Sequence, residues 1–461
     1  MNAKSRTNLI KMASLALVFL AIMLVPTNER FTPEIRLFIA ITVFCIGLFA
    51  LSIFDSPLVP SLILMFGYTS VSDLSTIMSG WSADSPWIIL CVYVILQVAD
   101  RTGLLNHIAY FILSKTGGTY AGICIGLYVI GFLLSFLGSS VVIAVLAIAA
   151  GLVKALKLEY TKSGIGIMLC AFVSVIDATP FVFDPARLWF YSIAAAGAGI
   201  PEVSIGYGTW FRNGAIFIVE YLSILVAIIA VCRPKDGKID GSGFISEQVK
   251  QNGAVKSEEK KAAVIIVLMF AYLFTNAFHG FPMIYGFVAA AIVLFLPGLN
   301  VGTADDIKRV NFVYPIFIVA CLSIGNVSAQ LGVGELIADA AIGAGLDSGG
   351  VTLFLIAVFL LCYALNFFMT PLSIFAGVMP PLAAIAMSLP GVNDISVIIV
   401  TVHIATINVV LPYETANNLV LYSFDTMSMK DYVKAFALRS LLSFAVFGLA
   451  LVYWNAIGLL G

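Results

Sequence analysis

Long apolar runs make up most of the chain, and short polar segments separate them. A helix that crosses the hydrocarbon core of a membrane needs about 20 predominantly apolar residues. The runs are Leu9–Val25, Ile35–Phe54, Pro57–Tyr68, Pro86–Ala99, Tyr120–Leu137, Val141–Val153, Gly164–Ile176, Phe211–Cys232, Ala262–Phe278, Tyr285–Leu296, Phe312–Val327, Val351–Met369, Ser373–Leu389, Ile395–Leu411 and Phe436–Trp454. Several of them are too short to cross alone. The pattern predicts an all-α polytopic membrane protein with about eleven spanning helices.

Two pairs of apolar runs predict re-entrant hairpins. Tyr120–Leu137 is followed almost at once by Val141–Val153, and Val351–Met369 by Ser373–Leu389. Connections this short leave no room for a loop outside the membrane between two full crossings. We therefore expect each pair to enter and leave the bilayer from one side.

Two polar breaks interrupt apolar sequence and predict broken helices. One is Leu411–Ser423, which reads LPYETANNLVLYS, and the other is Asp177–Arg187, which reads DATPFVFDPAR. Freed backbone groups and charged side chains facing lipid would be stranded without partners. They are tolerated at membrane depth where they line a polar cavity. The two breaks therefore predict a binding site of a secondary transporter.

The two halves of the chain repeat the same order of elements. The matched pairs are Gly103 with Gly332, the hairpin tips Ser139 with Thr370, and Pro180 with Pro412. Members of each pair are about 230 positions apart, and an odd number of crossings per half would invert one half relative to the other. The predicted organisation is an N-terminal span (1–34), a first inverted repeat (35–232), a cytoplasmic linker (233–261) and a second inverted repeat (262–461). Scaffold helices would extend to about residue 115 in the first repeat and about 345 in the second, with a hairpin and a broken helix after them.

Composition and charge narrow the class of protein to which the chain can belong. Of the 461 residues 61% are hydrophobic and 11% charged, with a net charge of -1, which excludes a soluble domain and a nucleic-acid partner. Basic residues collect on one predicted side, which the positive-inside rule makes cytoplasmic: Lys154, Lys157, Lys162, Lys308, Arg309, Lys430 and Lys434. The N-terminus is then cytoplasmic and the C-terminus outside, in a cell (inner) membrane.

The segment Leu411–Ala435 carries a family resemblance. It reads LPYETANNLVLYSFDTMSMKDYVKA and resembles the LP-x-x-T-P-P-N-x-I-x-Y segment, followed by K-D-x-x-K-A, of the divalent-anion:sodium symporter family within the ion-transporter superfamily. The order of elements is similar from roughly Leu9 to the C-terminus. The resemblance implies a homodimer with a scaffold at the dimer contact and a transport part that moves like an elevator. It also implies symport of a small di- or tricarboxylate-like organic anion, with no cofactor beyond the coupling ion.

The chain departs from that family at the residues that would hold ions. The family carries Ser-Asn-Thr at both hairpin tips, whereas this chain has Ser139-Ser140-Val141 and Thr370-Pro371-Leu372. Phe181–Arg187 likewise replaces the family's glycine-threonine-proline-proline-asparagine. Sodium, protons and exchange without sodium sites are therefore open alternatives for coupling.

The candidate site combines residues from both tips and both breaks. The candidate cation ligands are Ser135, Ser139, Thr179, Asp184, Asn366 and Glu414, with sodium expected at Ser135, Ser139, Asn366 and Thr370. The candidate anion ligands are Ser140, Arg187, Thr370, Thr415, Asn417 and Asn418.

Each of these residues has a structural alternative. Ser and Thr hydroxyls often hydrogen-bond to the preceding helical turn, and Asp184 with Arg187 could form an ion pair at i,i+3 spacing. Glu414 could face a water-filled vestibule, or it could carry a proton. A remote alternative is an intramembrane enzyme using Asp177 and Asp184, but both lie in one break and the GxGD signature is missing. Enzyme function is therefore not expected.

Overall fold

The computed structural model describes residues 3–51, 53–54, 56–182, 185–200, 206–234, 239–333, 336, 350–367, 371–389, 392, 396–405, 410–412 and 415–460. The first half contains α1 (Ala3–Met23), α2 (Pro33–Ala50), α3 (Leu58–Tyr68), α4 (Leu74–Met78), α5 (Asp84–Thr102), α6 (Leu104–Ser114), α7 (Tyr120–Ser135), α8 (Val142–Ala155), α9 (Lys162–Ile176), α10 (Pro185–Gly197), α11 (Tyr207–Gly214) and α12 (Phe217–Val231). The second half contains α13 (Ser242–Asn252), α14 (Ser257–Phe274), α15 (Asn276–His279), α16 (Ile284–Leu294), α17 (Ala304–Lys308), α18 (Val313–Gln330), α19 (Gly350–Asn366), α20 (Pro371–Gly377), α21 (Met379–Ser388), α22 (Ser396–Ala405), α23 (Ala416–Ser423) and α24 (Met429–Ala456). Two short 3-10 helices cover Ser79–Ser82 and Ser139–Val141. These residues include no strand, so the predicted all-α class is confirmed.

Few of the helices are long enough to cross a membrane alone. By length and composition, three in the described ranges qualify: Arg6–Met23 within α1, Val313–Gln330 and Met429–Ala456. The number rises to five if two bent pairs each count as one span, Leu74–Ser82 with α5 at 49° and α11 with α12 at 58°. The other apolar helices have the lengths expected of half-spans and hairpin arms.

The glycines paired in the proposed repeat occupy equivalent helix ends. Gly103 follows α5 directly and has φ of +88°, and Gly332 lies two residues after α18 with φ of +69°. Glycine adopts this left-handed conformation without the steric penalty of a side chain, so it ends a helix at low cost. Glycine therefore ends the corresponding helix in both halves.

The first hairpin consists of α7, the 3-10 turn Ser139–Val141 and α8. Gly138 turns the chain at its tip with φ of +97°, a conformation that other residues rarely adopt. Along the arm, Gly131 lets α7 approach α9 closely, since a Cβ there would lie 1.9 Å from the Ser174 hydroxyl. The hairpin is thereby packed against the first half of the first broken helix.

The second hairpin consists of α19 on one arm and α20 with α21 on the other. It packs against α10, which is the second half of the first broken helix. Phe190 and Phe375 stack there with ring centroids 3.8 Å apart, and Gly197 approaches Pro380 so closely that a Cβ would lie 2.3 Å from its Cα. The stacked rings and the close backbone contact show that the second hairpin and α10 are tightly packed.

Each broken helix contacts both hairpins. In the first, α9 packs on α7 and α8 while α10 packs on α20 and α21. In the second, α22 packs on α19 and α21 while α23 packs on α8. The described helices on either side of each interruption therefore pack on different hairpins.

Much of the range predicted as a linker is helical. Within 233–261, α13 forms a helix that packs on α6, and α14 begins at Ser257. The Gly241 amide donates to the Gly118 carbonyl at 2.8 Å, which joins the start of α13 to the turn before α7. The connection between the halves thus contacts the bundle through α13 and its first residues.

An ion-pair network joins α5, α14 and α17 near that connection. Arg101 donates from Nε to both Asp306 oxygens at 2.8 and 3.0 Å, and from Nη1 to Glu258 at 3.3 Å. Asp306 is 1% exposed and also accepts from the Thr303 amide at 2.8 Å. The Arg101 guanidinium therefore neutralises a buried carboxylate.

We expect Arg101→Ala to lower the free energy of unfolding by about 3 kcal/mol, because the Asp306 carboxylate would stay buried without a cation. Unfolding in mixed micelles would measure the loss. The control is Lys308→Ala, since Lys308 pairs with Asp305 at the surface and such pairs contribute below about 1 kcal/mol. Equal effects of the two substitutions would contradict the buried pair.

Candidate functional site

The first interruption begins at Asp177, which ends α9 and pairs with an arginine from the last helix. Arg439 of α24 donates from Nε to Asp177 Oδ2 at 2.9 Å, and its Nη2 donates to Oδ1. Asp177 is 6% exposed and Arg439 8% exposed. The two form a buried, bidentate ion pair, the strongest type of charge-assisted hydrogen bonding between side chains.

A second buried carboxylate lies beside this pair. Glu220 of α12 is 4% exposed and accepts a hydrogen bond from the Ser443 hydroxyl of α24. Ser443 lies one turn after Arg439 and also donates to its carbonyl at 3.2 Å. The Glu220 carboxylate interacts electrostatically with Asp177, Arg439 and Arg187. The end of α9, α12 and α24 thus meet in one charged cluster, defined here as Asp177, Glu220, Arg439 and Ser443.

Arg187, predicted to bind the anion, lies in the first turn of α10. It is 7% exposed, and its charge acts on Glu220 and on the ring of His403. His403 is buried in α22 and packs edge-on against Trp210, with ring centroids 4.6 Å apart. Arg187 therefore lies within electrostatic range of α12 and of the first half of the second broken helix.

Two candidate cation ligands hydrogen-bond to their own helical turns. The Ser135 hydroxyl donates to the Phe132 carbonyl at 2.7 Å, and the Thr179 hydroxyl donates to the Ile176 carbonyl at 2.7 Å. This is the structural alternative predicted for membrane serines and threonines. Each oxygen keeps lone pairs with which it could still ligate a cation.

The two serines at the tip of the first hairpin differ from Ser135 and Thr179 in their hydrogen bonding. Ser139 and Ser140 open the 3-10 turn and are half-buried. Within the described residues their hydroxyls form no hydrogen bond. Unlike the Ser135 hydroxyl, these two tip hydroxyls therefore do not donate to their own helical turn.

The second interruption ends at Thr415, which caps α23. Its hydroxyl accepts from the Asn418 amide at 3.0 Å and donates to Asn418 Oδ1 at 2.8 Å. Asn418 is 3% exposed and donates from Nδ2 to the Tyr432 hydroxyl at 2.6 Å. These bonds give Thr415 and Asn418 a structural role in starting α23, while Asn417 is half-buried beside them.

We expect Tyr432→Phe to lower the free energy of unfolding by about 1–3 kcal/mol, because the buried Asn418 amide would lose its acceptor. Thermal unfolding in detergent would detect this loss. Tyr453→Phe is the matched control, since Tyr453 donates to the Arg212 carbonyl at a more exposed position and should matter less. A larger loss in the control would contradict the assignment.

The remaining predicted residues are only partly described. Asn366 ends α19 and is buried, one residue before that described segment stops. Asp184, Thr370 and Glu414 lie outside the described residues. The predicted pair of Asp184 with Arg187 therefore stays a prediction, as do the roles of Thr370 and Glu414.

A cavity of about 290 Å³ runs between α9, α12 and α24. Lys162, Cys232 and Asp431 line it where α9 and α24 begin and α12 ends, and Arg439, further along α24, lines it as well. Most of its other lining side chains are apolar, among them Leu169, Ile224 and Leu442. The charged cluster therefore lies beside this cavity. At its other end the cavity is lined by the charged side chains Lys162 and Asp431.

Neither Arg439 nor Glu220 is among the candidate site residues predicted from the sequence. The available signal was a single arginine within the otherwise apolar run Phe436–Trp454 and a single acid within the run Phe211–Cys232. A charge in such a run is costly unless it is paired, so a partner was to be expected. Only the fold shows which residue that partner is.

Two hairpins, two interrupted helices that both hairpins contact, and buried charges at an interruption define a polytopic, all-helical membrane transporter. The chain belongs to the sodium:sulfate symporter family, because the model of that family's transmembrane region matches residues 6–460. The family predicted from Leu411–Ala435 is thereby confirmed, and the chain is a secondary transporter of anions rather than an enzyme.

Solved structures share the fold at low sequence identity. The YdaH transporter of Alcanivorax borkumensis, reported to have an unusual topology, matches with a TM-score of 0.59 and 14% identity, over 100% of this chain and 99% of that one. MtrF of Neisseria gonorrhoeae, reported to illuminate a class of antimetabolite efflux pumps, matches with a TM-score of 0.56 and 14% identity, over 99% and 94%. No curated protein sequence matches the chain.

Proposed function

We propose that the protein is a cation-coupled transporter of small organic anions of the di- or tricarboxylate type, with elevator-type alternating access. The observation that carries the proposal is the packing of each broken helix against both hairpins. Such a unit can move as one body and expose its two interruptions to either side of the membrane in turn. Two inverted repeats, about eleven spans and a homodimer held by the scaffold helices complete the proposed architecture.

Arg187 is the proposed anchor of the anion. A guanidinium binds a carboxylate through two parallel hydrogen bonds, and a buried one binds it in a low-dielectric environment. The starts of α10 and α23 add positive ends of helix dipoles near the interruptions. Ser140, Thr370, Thr415, Asn417 and Asn418 are the proposed polar partners, with Asn418 and Thr415 acting largely through the start of α23.

The proposed cation sites flank the anion. Ser135, Ser139, Thr179 and Asp184 would supply oxygens on one side, and Asn366, Thr370 and Glu414 on the other. Sodium prefers several oxygen ligands including backbone carbonyls, which interrupted helices provide. The family description supports sodium as the coupling ion.

A second candidate is a proton-coupled or exchange-type carrier of organic anions without sodium sites. The charged cluster favours it, because Asp177 and Glu220 are two buried carboxylates close to one directly paired arginine. Buried acids in transporters often serve as proton carriers.

Uptake by purified protein in liposomes tests the proposal. Labelled succinate, citrate and sulfate would each be supplied with an inward sodium gradient at equal pH, and then with an inward proton gradient without sodium. We expect accumulation of at least one carboxylate under one gradient. Uptake of sulfate alone would contradict the organic-anion assignment, and no uptake of any anion under either gradient would overturn the proposed transport function.

A further inference from the structure

The charged cluster contains two buried carboxylates, and among the residues that the structure describes only Asp177 has a direct ionic partner. Arg439 binds Asp177 through Nε and Nη2, while the described contact of Glu220 is the hydroxyl of Ser443. In the described part of the chain, Glu220 forms no ion pair. An ionised carboxylate in this environment would carry a charge that its neighbours do not balance directly.

Asp177 of α9, Arg439 of α24 and Arg187 of α10 act electrostatically on Glu220. The next residue, Tyr221, interacts with Cys170 of α9 and packs against Tyr128 of α7 with ring centroids 4.8 Å apart, and Tyr432 of α24 interacts with Arg439. Tyr128 is 3% exposed, and its hydroxyl has no hydrogen-bond partner among the described residues. A buried hydroxyl without a partner is rare, and this one adds a group that can donate or accept a proton near Asp177 and Arg439.

We propose that Glu220 binds the proton that drives transport, and that Arg439 transmits its protonation state to the first interruption. This inference rests on the proposed transport function and assigns its coupling ion. With Glu220 protonated, Arg439 faces a single charged carboxylate and holds Asp177 at the end of α9. With Glu220 ionised, two carboxylates compete for the guanidinium, and the hold on Asp177 weakens.

The position of the cluster makes this competition relevant to transport. Asp177 ends α9 at the interruption, and Arg187 begins α10 on its other side. Both α12 and α24 pack together along the cluster, and the cavity between α9, α12 and α24 reaches Arg439 from its charged end. A proton that enters through this cavity would reach the charged cluster. There it would change how strongly Arg439 holds Asp177, and with it the position of the first interruption.

The test uses the full-length protein in liposomes, with the labelled carboxylate that wild-type protein transports. We expect an inward proton gradient to drive accumulation in wild type. Glu220→Gln should lose that accumulation and fall to the level measured without a gradient, yet it should still exchange internal for external substrate, because glutamine imitates the protonated acid. Glu220→Asp should retain part of the accumulation. Glu247→Gln, an exposed carboxylate of α13, is the matched control and should behave as wild type.

A second readout does not depend on transport. Infrared difference spectra of the protein taken across a pH series should contain the carbonyl band of a protonated carboxylic acid in wild type, and Glu220→Gln should lack it. Proton-driven accumulation by Glu220→Gln equal to wild type, or an unchanged band in that variant, would overturn the inference. So would wild-type uptake that follows sodium and ignores the proton gradient, while leaving the transport function intact. Absence of uptake in wild type would instead overturn the transport function on which the inference rests.

Discussion

Arg187→Ala is expected to abolish binding of the transported anion. Removing one partner of a buried, hydrogen-bonded charge pair costs about 2–5 kcal/mol, and each 1.4 kcal/mol is a tenfold change in affinity. The dissociation constant should therefore rise by at least about 30-fold. Calorimetric titration of purified protein with the transported carboxylate would measure the change, and uptake into liposomes should fall in parallel.

Two further variants make this result specific. Arg187→Lys keeps the positive charge but loses the planar pair of donors, so its affinity should lie between wild type and Arg187→Ala. Arg309→Ala removes an exposed arginine far from the interruptions in sequence and should bind as wild type does. Wild-type affinity in Arg187→Ala, with correct folding confirmed by size-exclusion chromatography, would remove Arg187 from the anion site and leave the fold unaffected.

The sequence predicted the fold well where polar residues interrupt apolar ones. Gly138, Pro180 and Pro412 mark a hairpin tip and two breaks, and none of them lies within an α-helix of the structure. Such positions are visible from sequence because unpaired backbone cannot face lipid, so the interruptions carry polar or conformationally special residues.

Helix boundaries were less predictable. The run Phe436–Trp454 becomes a 28-residue helix that begins at Met429, because Ser428 caps it and accepts from the Asp431 amide at 3.2 Å. The polar segment Met429–Ala435, directly before the run, therefore forms the first turns of the same helix. A hydropathy pattern detects the apolar part of a helix, whereas capping bonds determine where it starts.

The pairing of Asp177 with Arg439 could not be predicted from the sequence. Asp177 lies near Asp184 and Arg187 in sequence, yet its partner Arg439 is 262 positions away. Local spacing identifies candidate pairs on one helix, but a buried charge is neutralised by whichever helix the fold brings beside it. The sequence therefore shows that a charge such as Asp177 lies in an apolar setting, but only the fold shows which residue pairs with it.

We expect loss of either member of the Asp177–Arg439 pair to lower the free energy of unfolding by about 3–5 kcal/mol, because each single change leaves the other charge buried and uncompensated. Arg439→Met and Asp177→Asn should both show this loss in a mixed-micelle unfolding series. The double variant should be more stable than the sum of the single effects implies, since it removes both charges together. Strictly additive single effects would contradict direct coupling between the two side chains. The cycle also bears on the proposed mechanism, because that mechanism requires Arg439 and Asp177 to interact directly at the end of α9.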